Sequence, residues 1–398
     1  MNVIVISHTY ISAINRDKWK TLANANKSLN IFVIIPEQWP THFFNINGKI
    51  AESENNNNCH FIALPTYAAG NEVRYIYKPF ALLSFLKKIK PAIIHVEQGS
   101  RALSYFQIIV SCRLLGIKPA FCFFTWINWH NPEKSRLDWL WRLIEKFNLK
   151  NSDGAIAGNN DAKIILNKAG LNKPITVLPQ LGINRTIFKP ATVHTPSQTI
   201  IYAGRLVEEK GVLLLLQAFI SLHKKYPTWK LIFVGSGPLE KKLIDKTISA
   251  GLLDSIEFKP PVHHAQVAQL LQQAALLVLP SLDTPTWKEQ FGHVLIEAMA
   301  CKIPVLGSSA GEIPHVINNQ MLIFEQGNKA DLEKKLDILM ANDQLRISLG
   351  AECYERTIQE YTHEVIGHKT EQFWIEILKN NKTTTKANTT VSSTKGDS

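Results

Sequence analysis

The stretch Ile201-Tyr-Ala-Gly-Arg-Leu-Val-Glu-Glu-Lys-Gly211 decides the fold of the second half of this 398-residue chain. It joins the β-branched run 199–202 to a segment of helical period, and Gly204 lies directly after the run. An apolar run that passes through a glycine turn into a helix is typical of a parallel sheet covered by helices. Gly204 lets the backbone approach a ligand, and Arg205 and Lys210 follow it, so the stretch suits an anion site, with a capped surface turn as the alternative.

The same alternation of short β-branched runs and helical segments extends over the whole chain. It predicts an α/β fold of two doubly wound, Rossmann-like domains that face each other across a cleft. Ligands of such sheets bind at the carboxyl ends of the strands, so the residues that follow the runs are candidate site residues. The runs lie at 3–6, 31–35, 61–64, 93–96, 120–124, 154–157 and 176–178 in the first half, and at 199–202, 230–234, 256–259, 276–279, 304–306 and 321–324 in the second.

The chain divides into four segments on this interpretation. Residues 1–185 and 186–365 form the two domains, because the stretch 182–197 contains two prolines and little periodicity. Residues 366–380 predict a helix that packs back on the N-terminal domain, since apolar side chains there share one helical face. Residues 381–398 are rich in Lys, Thr, Ser and Asn, and we expect them to be disordered.

The excess positive charge lies in the first half of the chain. The formal net charge is +11, and residues 1–185 hold about 22 Lys and Arg against about 11 Asp and Glu. The remaining residues hold about equal numbers of both signs. A basic N-terminal domain suits an anionic partner, which could be a membrane leaflet, a pyrophosphate-linked substrate or a nucleic acid.

The cysteines and the apolar runs indicate the compartment. The five cysteines are scattered and form no Cys-x-x-Cys pair, which argues against a disulfide framework and a structural zinc site. The first strand begins without a basic leader, and every apolar run is far shorter than the ~20 residues of a membrane span. We therefore expect a cytoplasmic protein.

The strongest chemical signal is Trp287-Lys-Glu-Gln-Phe-Gly-His-Val-Leu-Ile-Glu-Ala-Met-Ala-Cys301. Helical spacing begins around Gly292, so Glu289 lies in the preceding loop and the helix N-terminus is open to phosphate or sugar oxygens. Glu297, within the helix, can accept two hydrogen bonds from a ribose diol. Residues 308–315 form a further loop of small residues after a strand, which suits a pyrophosphate.

Taken in order, these motifs resemble the donor half of the retaining GT-B glycosyltransferases of family 4, the glycosyl transferases group 1. The resemblance covers the second domain nearly end to end, and the N-terminal stretch is similar to glycosyltransferases of bacterial exopolysaccharide assembly. The motifs that carry it are Gly204-Arg205…Lys210-Gly211, Gly235-Ser-Gly-Pro238, and Glu289-x7-Glu297 with Phe291-Gly292 inside it.

The resemblance implies a role for each donor-side motif. Arg205 and Lys210 would bind the donor pyrophosphate, with Gly204 and Gly235 in the loops beside it, and Glu297 would bind the ribose. The family also implies transfer with retention, in which the departing phosphate takes the proton. The Arg/Lys pair and the helix dipole would stabilise the leaving diphosphate, so no metal and no cofactor are expected.

The reaction centre needs residues from both domains on this resemblance. Glu289 would be catalytic, and the backbone of Phe291 and Gly292 would bind the donor sugar. Family members often place a histidine of the first domain near the donor sugar, which makes His130 the second catalytic candidate, with a structural histidine packed between Trp129 and Pro132 as the alternative. Asn128, close to it, is an acceptor-side candidate because its amide can hydrogen-bond a sugar hydroxyl.

Two positions depart from the family pattern. Lys302 stands where a glycine usually follows the helix, which predicts a left-handed lysine or a reshaped turn. Ser7-His8-Thr9-Tyr10 replaces the usual glycine-rich loop after the first strand, and His8 is a further acceptor-side candidate. Asn159, Asp161 and Gln180 also follow strands of the first domain and are expected to line the cleft.

The predicted function is transfer of a sugar from a nucleotide-diphosphate donor to a saccharide or lipid-linked acceptor, in polysaccharide or glycolipid biosynthesis. The first domain could then lie on the inner face of the cell membrane as a peripheral protein, with 139–150 as a docking helix. Core packing of that helix is an equal alternative. A nucleotide-sugar epimerase or phosphorylase on the same scaffold also stays open. A nucleic-acid-binding protein would leave Glu289 and Glu297 unexplained, so no nucleic-acid partner is expected.

Overall fold

The computed structural model describes residues 1–41, 46–129, 138–192 and 197–393, with the backbone alone described at 41, 46–50 and 382–393. The chain forms two compact units. Within the described residues, the first unit comprises 1–127, 138–182 and 363–393, and the second comprises 128–129 and 183–362. The chain thus passes between the units at 182/183 and 362/363, within three residues of the predicted domain boundaries.

Strands alternate with helices along both units, as the periodicity predicts, except over residues 30–77, where the described residues form seven successive strands with no helix between them. In chain order the strands are β1 (Asn2–Ile6), β2 (Asn30–Pro36), β3 (Gln38–Thr41), β4 (Ile46–Ile50), β5 (Glu54–Asn56), β6 (Cys59–Leu64), β7 (Thr66–Tyr67), β8 (Ile76–Tyr77), β9 (Ile93–Val96), β10 (Ala120–Thr125), β11 (Gly154–Ala157), β12 (Ile175–Val177), β13 (Thr199–Ala203), β14 (Lys230–Val234), β15 (Ile256–Lys259), β16 (Leu276–Leu279), β17 (Val305–Ser308) and β18 (Ile323–Phe324).

The helices are α1 (Asp17–Ala25), α2 (Pro79–Ile89), α3 (Leu103–Leu114), α4 (Asp138–Lys150), α5 (Asn160–Lys168), α6 (Val212–His223), α7 (Glu240–Ser249), α8 (His264–Gln272), α9 (His293–Ala300), α10 (Ile313–Ile317), α11 (Lys329–Ala341), α12 (Asp343–Glu360) and α13 (His363–Ser393). No described helix is long and apolar enough to cross a membrane.

The first unit is built on an eight-stranded sheet in the order β12-β11-β10-β9-β1-β2-β6-β5. Its neighbouring strands run parallel, except that β5 is antiparallel to β6. Side chains of β1 alternate between two cores, with Val3 and Val5 in one and Ile4 and Ile6 in the other. Because both faces of the sheet are covered, its strands are apolar at almost every position.

The second unit is built on a six-stranded parallel sheet in the order β15-β14-β13-β16-β17-β18. The strand order reverses between β13 and β16, which is the topological switch point of a doubly wound sheet. The carboxyl ends of β14, β13, β16 and β17 therefore lie side by side at one edge. The loops that follow these four strands carry the motifs on which the family resemblance rests.

The C-terminal helix α13 is longer than the sequence predicts. Its first half is anchored in the first unit, where the fully buried Trp374 stacks on Trp19 of α1 at a ring-centroid distance of 5.6 Å. Once a helix is anchored, each further residue adds a hydrogen bond without a new nucleation cost. The helix continues to Ser393, so the structure differs from the predicted disorder over 381–393, and 394–398 lie outside the described residues.

Candidate active site at the second sheet

Four loops bring the motif residues of the second unit together. Gly204 follows β13, Gly235 follows β14, Ser281 lies two residues after β16, and Gly311 lies three residues after β17. A Cβ atom on Gly235 would lie 1.9 Å from the carbonyl oxygen of Gly204, and one on Gly311 would lie 2.2 Å from that of Glu289. The glycines are therefore required because the loops pack backbone against backbone.

The carboxylate of Glu289 is the centre of this edge. Its Oε2 accepts hydrogen bonds from Nζ of Lys210 at 2.5 Å and from Oγ of Ser281 at 2.8 Å. The Lys210 ammonium also lies 4.9 Å from the ring centroid of Trp287. Glu289 is only 6% exposed, so a cation from the loop after β13 and a hydroxyl from its own loop compensate its burial.

The backbone of Glu289 is held as tightly as its side chain. Its carbonyl oxygen accepts hydrogen bonds from the backbone N–H of Glu312 and from Nδ2 of Asn128, both at 3.1 Å. Asn128 belongs to the second unit, and its buried Oδ1 has no hydrogen-bond partner among the described residues. The structure thus brings Asn128 to Glu289, whereas His130 lies outside the described residues.

Arg205 lies in the same loop as Lys210 but is far more exposed. Its Nη2 atom is 3.4 Å from Oε1 of Glu209, and its side chain is 49% exposed, against 15% for Lys210. The Tyr202 hydroxyl donates a 2.6 Å hydrogen bond to the backbone oxygen of Arg205. Both predicted diphosphate ligands are therefore paired with carboxylates, and the Arg205 pair is the weaker because it is solvated.

Glu297 lies in α9 with fewer polar partners than Glu289. Its Oε1 is 3.7 Å from Nδ1 of His264, the first residue of α8. Burial raises the pKa of Glu297 to about 7, while burial lowers the pKa of His264. A carboxyl that titrates near neutrality can change its ability to accept hydrogen bonds within the physiological range.

The N-terminus of α9 has the geometry that the sequence predicts. Gly292 caps it with φ +78°, a left-handed conformation, and the helix begins at the next residue. The buried ring of Phe291 packs edge-on against Tyr361 at 5.5 Å between centroids. After the helix, Lys302 has φ +61°, which confirms the left-handed lysine expected at the usual glycine position.

The acceptor-side candidate His8 and the expected cleft residue Asn159, both in the first unit, already have hydrogen-bonding partners there. His8 stacks on Trp39 at 4.5 Å, and its Nε2 lies 3.2 Å from Oε1 of Glu72. The hydrogen bond from His8 lowers the pKa of Glu72. Asn159 caps α5, because its side chain accepts a hydrogen bond from the backbone N–H of Ala162.

A buried polar cluster in the first unit was not predicted. Nζ of Lys18 lies 2.8 Å from the Gln180 carbonyl oxygen and 3.4 Å from Oε1 of Glu97, and burial lowers the pKa of Lys18. Nε2 of Gln180 donates to Oε2 of Glu97 at 3.0 Å, and its Oε1 accepts from Trp126 at 3.2 Å. A lysine on a short helix carries no sequence signal of burial, because solvated lysines look the same.

The second unit of the chain matches a known protein family. The family model described as "Glycosyl transferases group 1" matches residues 184–356, which covers nearly all of the second unit. This part of the chain belongs to the group 1 glycosyltransferases. The predictions of family and enzyme class are confirmed, and the comparisons give no support to the epimerase, phosphorylase and nucleic-acid-binding alternatives.

The relatives include enzymes of glycolipid and polysaccharide synthesis. A phosphatidylinositol N-acetylglucosaminyltransferase subunit of Arabidopsis thaliana is 22% identical over 354 residues, which cover 80% of this chain and 75% of that protein. The capsular polysaccharide biosynthesis glycosyltransferase CapM of Staphylococcus aureus is 26% identical, over 56% of this chain and 61% of CapM. Beyond the Arabidopsis protein, the chain spans about half the length of most of the curated relatives that it matches.

Solved structures show that the fold is GT-B, with two Rossmann-like units. Sucrose-phosphate synthase of Thermosynechococcus elongatus is 19% identical and superposes with a TM-score of 0.70, over 96% of this chain and 100% of that one. HepE of Anabaena in complex with UDP is 12% identical with a TM-score of 0.69, over 94% of this chain and 100% of HepE. At these identities the likeness establishes the fold alone.

Proposed function

We propose that this glycosyltransferase takes its sugar from a nucleotide-diphosphate donor and transfers it with retention of anomeric configuration. The observation that carries the proposal is the buried contact of Lys210 with Glu289, at the edge where four strand-end loops meet. A cation and a carboxylate side by side suit a ligand with a charged diphosphate and a neutral, hydroxyl-rich sugar.

Arg205 and Lys210 bind the donor diphosphate in this proposal. Without a ligand, each cation is paired with a carboxylate of the protein: Arg205 with Glu209, and Lys210 with Glu289. A diphosphate carries more negative charge than one carboxylate, so it attracts both cations without leaving a buried charge unpaired. The ribose then hydrogen-bonds to Glu297 in α9, and the backbone of Gly204 and Gly235 closes around the phosphates.

The transfer needs neither a metal nor a cofactor in this proposal. The bond from the anomeric carbon to the diphosphate oxygen breaks, and the acceptor oxygen bonds to the same face of that carbon. The acceptor proton passes to the departing phosphate oxygen, while Lys210 and Arg205 stabilise the charge that develops there. Glu289 and the Phe291–Gly292 backbone hold the donor sugar, with His130 and Asn128 as further candidates.

The acceptor is a saccharide or a lipid-linked saccharide, and the pathway makes polysaccharide or glycolipid. Two observations support a lipid-linked acceptor and a peripheral position on the inner face of the cell membrane. The Arabidopsis relative belongs, by name, to a phosphatidylinositol N-acetylglucosaminyltransferase. In the basic first unit, α4 exposes Trp139 at 61% and Leu143 at 54%, next to the exposed Arg142 and Lys146.

The first experiment identifies the donor. The purified chain is screened by thermal shift against UDP-, GDP- and ADP-sugars, and a nucleotide sugar that binds at 100 times its Kd raises stability by about 2.7 kcal/mol. Transfer from the selected donor is then measured by release of the nucleotide diphosphate. A chain that is stabilised by no nucleotide sugar contradicts the proposal.

The Glu289→Gln variant tests the reaction centre. We expect it to lose at least a hundredfold in turnover, because the neutral amide no longer offers a carboxylate to the sugar, and to keep its affinity for the free nucleotide diphosphate. Glu257→Gln, an exposed glutamate on the edge strand β15, is the matched control and should behave as the wild type. Unchanged turnover in Glu289→Gln would remove Glu289 from the mechanism.

A further inference from the structure

The two carboxylate oxygens of Glu289 are not equivalent. Oε2 receives both donated hydrogen bonds, from Lys210 at 2.5 Å and from Ser281 at 2.8 Å. Among the described residues, no side chain donates a hydrogen bond to Oε1. One oxygen therefore fixes the carboxylate in the protein, and the other keeps its capacity to accept a hydrogen bond from a ligand.

The Ser281 hydroxyl is itself held by the sheet. Ser281 is fully buried two residues after β16, and Ser308, the last residue of β17, is also fully buried. The Ser308 hydroxyl donates a 2.5 Å hydrogen bond to the backbone oxygen of Ser281. Because two neighbouring strands determine where Ser281 lies, its hydroxyl is a more rigid partner for Glu289 than the long Lys210 side chain is.

We propose that Ser281 is a positioning residue for sugar transfer, acting through Glu289. The proposal rests on the proposed binding of the donor sugar by Glu289. Once a donor is bound, the Lys210 ammonium has two anions to pair with, the Glu289 carboxylate and the diphosphate, and it has to shift between them. In the part of the chain that the structure describes, the Ser281 hydroxyl has Glu289 as its one acceptor, so its bond persists when Lys210 moves and keeps Oε1 directed at the sugar.

A hydroxyl suits this task better than a second cation. It adds no charge, so it does not compete with Lys210 and Arg205 for the diphosphate, and it does not reduce the negative charge that Glu289 offers to a sugar hydroxyl. It also leaves the site neutral overall when Lys210 pairs with Glu289 in the free protein. The two partners of Glu289 therefore have different roles. Lys210 neutralises the charge of the carboxylate, and Ser281 fixes its orientation.

The test compares Ser281→Ala with a matched control in the full chain, using the donor selected by the nucleotide-sugar screen. We expect kcat to fall roughly tenfold to a hundredfold, the loss that follows removal of a hydrogen bond to a charged group. The Kd for the free nucleotide diphosphate should stay within about twofold, because Ser281 does not contact it. Ser249→Ala is the control, since Ser249 is an exposed serine that bonds only within α7.

A double-mutant cycle separates positioning from general damage. In a Glu289→Gln background, Ser281→Ala should reduce kcat no further, because its effect passes through the carboxylate. Ser281→Cys, which is close in volume and a weak donor, replaces the alanine variant if that variant unfolds. Wild-type turnover in Ser281→Ala, an additive loss in the double variant, or an equal loss of nucleotide affinity would each overturn the proposal.

The outcomes also distinguish this proposal from the proposed function. If Glu289→Gln is inactive and Ser281→Ala is fully active, sugar binding by Glu289 stands and positioning by Ser281 falls. If Glu289→Gln is active, both fall, since Ser281 would have no carboxylate to position. A wild-type chain that transfers sugar from none of the nucleotide donors overturns both as well.

Discussion

Glu289 is buried and Glu297 is half-buried, and their surroundings make the two carboxylates different acceptors. Among the described residues, Glu289 has a cation and a hydroxyl on one oxygen, whereas Glu297 has only the imidazole of His264 at 3.7 Å. Burial without a strong donor raises the pKa of Glu297 to about 7. The nearby Cys301 thiol has its pKa raised to about 12 and stays neutral there, so it does not offset this burial.

The raised pKa of Glu297 predicts a pH-dependent donor affinity. Above about pH 7 the carboxylate can accept two hydrogen bonds from a ribose diol, and below it the neutral carboxyl accepts them more weakly. The Kd of the nucleotide diphosphate should therefore tighten roughly three- to tenfold between pH 6 and pH 8. Isothermal titration calorimetry across this range checks it.

The Glu297→Gln variant provides the reference for that titration. Because the amide does not ionise, its nucleotide affinity should follow only the titration of the ligand phosphate. The difference between the two proteins in how strongly nucleotide affinity depends on pH is the contribution of Glu297. Parallel pH profiles for the two proteins would contradict an ionising ribose ligand at this position.

Residue spacing predicts which residues gather at the strand ends but not which partners they find. In a doubly wound sheet, residues that follow the strands lie together at the carboxyl edge. The apolar runs therefore predict that Gly204, Lys210 and Glu289 lie at this edge. The hydrogen bond from Ser281 to Glu289 joins neighbours in sequence but requires the loop to turn back on itself. The contact of the buried Lys18 is harder still to predict, because Lys18 lies in α1 and its partner Glu97 follows β9, so only tertiary packing brings them together.

The turn after α9 carries a strain that a single substitution can remove. Lys302 has φ +61°, and a Cβ on Gly350 of α12 would lie 2.2 Å from the Lys302 carbonyl oxygen, so the turn is also packed tightly. Glycine adopts this conformation without the steric cost that a Cβ brings. Lys302→Gly should therefore stabilise the second unit by about 1 kcal/mol, or about 2–4 °C in Tm.

The control for that prediction is Lys302→Ala. Alanine keeps the Cβ, and it loses the contact of the ammonium with the Tyr354 ring, 5.1 Å away, so it should not stabilise. Calorimetric melting of the three proteins compares them, and transfer activity should be unchanged in all. A lower Tm for the glycine variant would mean that the Tyr354 contact is worth more than the backbone strain.

Most strands of the two large sheets follow from periodicity, whereas the short strands β3, β4, β5, β7 and β8 do not, and α13 is longer than its apolar stripe. Its apolar stripe predicts the buried half around Trp374 because 3.6-residue spacing places those side chains on one face. The stripe ends before the helix does, since α13 continues through polar residues to Ser393. Composition predicts whether the side chains of a segment can be buried. A helix that is already nucleated can continue through polar residues, because each added residue forms a further backbone hydrogen bond.

At the scale of the whole molecule, the two units differ in charge as well as in motif content. The donor motifs and the group 1 family match lie in the second unit, while the excess of positive charge lies in the first 185 residues. Net charge governs association with anionic surfaces and does not specify a fold. The charge asymmetry therefore bears on the binding partners of the protein. The exposed basic side chains of the first unit form the surface that would contact an anionic partner.

That surface predicts salt-sensitive binding of the full chain to anionic membranes. Sedimentation with phosphatidylglycerol-containing vesicles should show several-fold weaker binding at 300 mM than at 50 mM salt, because ions screen the Lys and Arg residues of α4. Trp139→Ala with Leu143→Ala should weaken binding at both salt concentrations, since both exposed side chains would insert between lipids. Vesicles of phosphatidylcholine alone should bind little.

The matched control is Leu253→Ala, which removes a leucine that is 59% exposed in the second unit. It should bind vesicles as the wild type does, because its surface lacks the basic excess of the first unit. Equal losses in the α4 and Leu253 variants would mean that exposed apolar area alone drives binding, with no oriented docking. Binding that ignores both salt and α4 would contradict a membrane role for this helix, and the acceptor would then reach the enzyme as a dissolved saccharide.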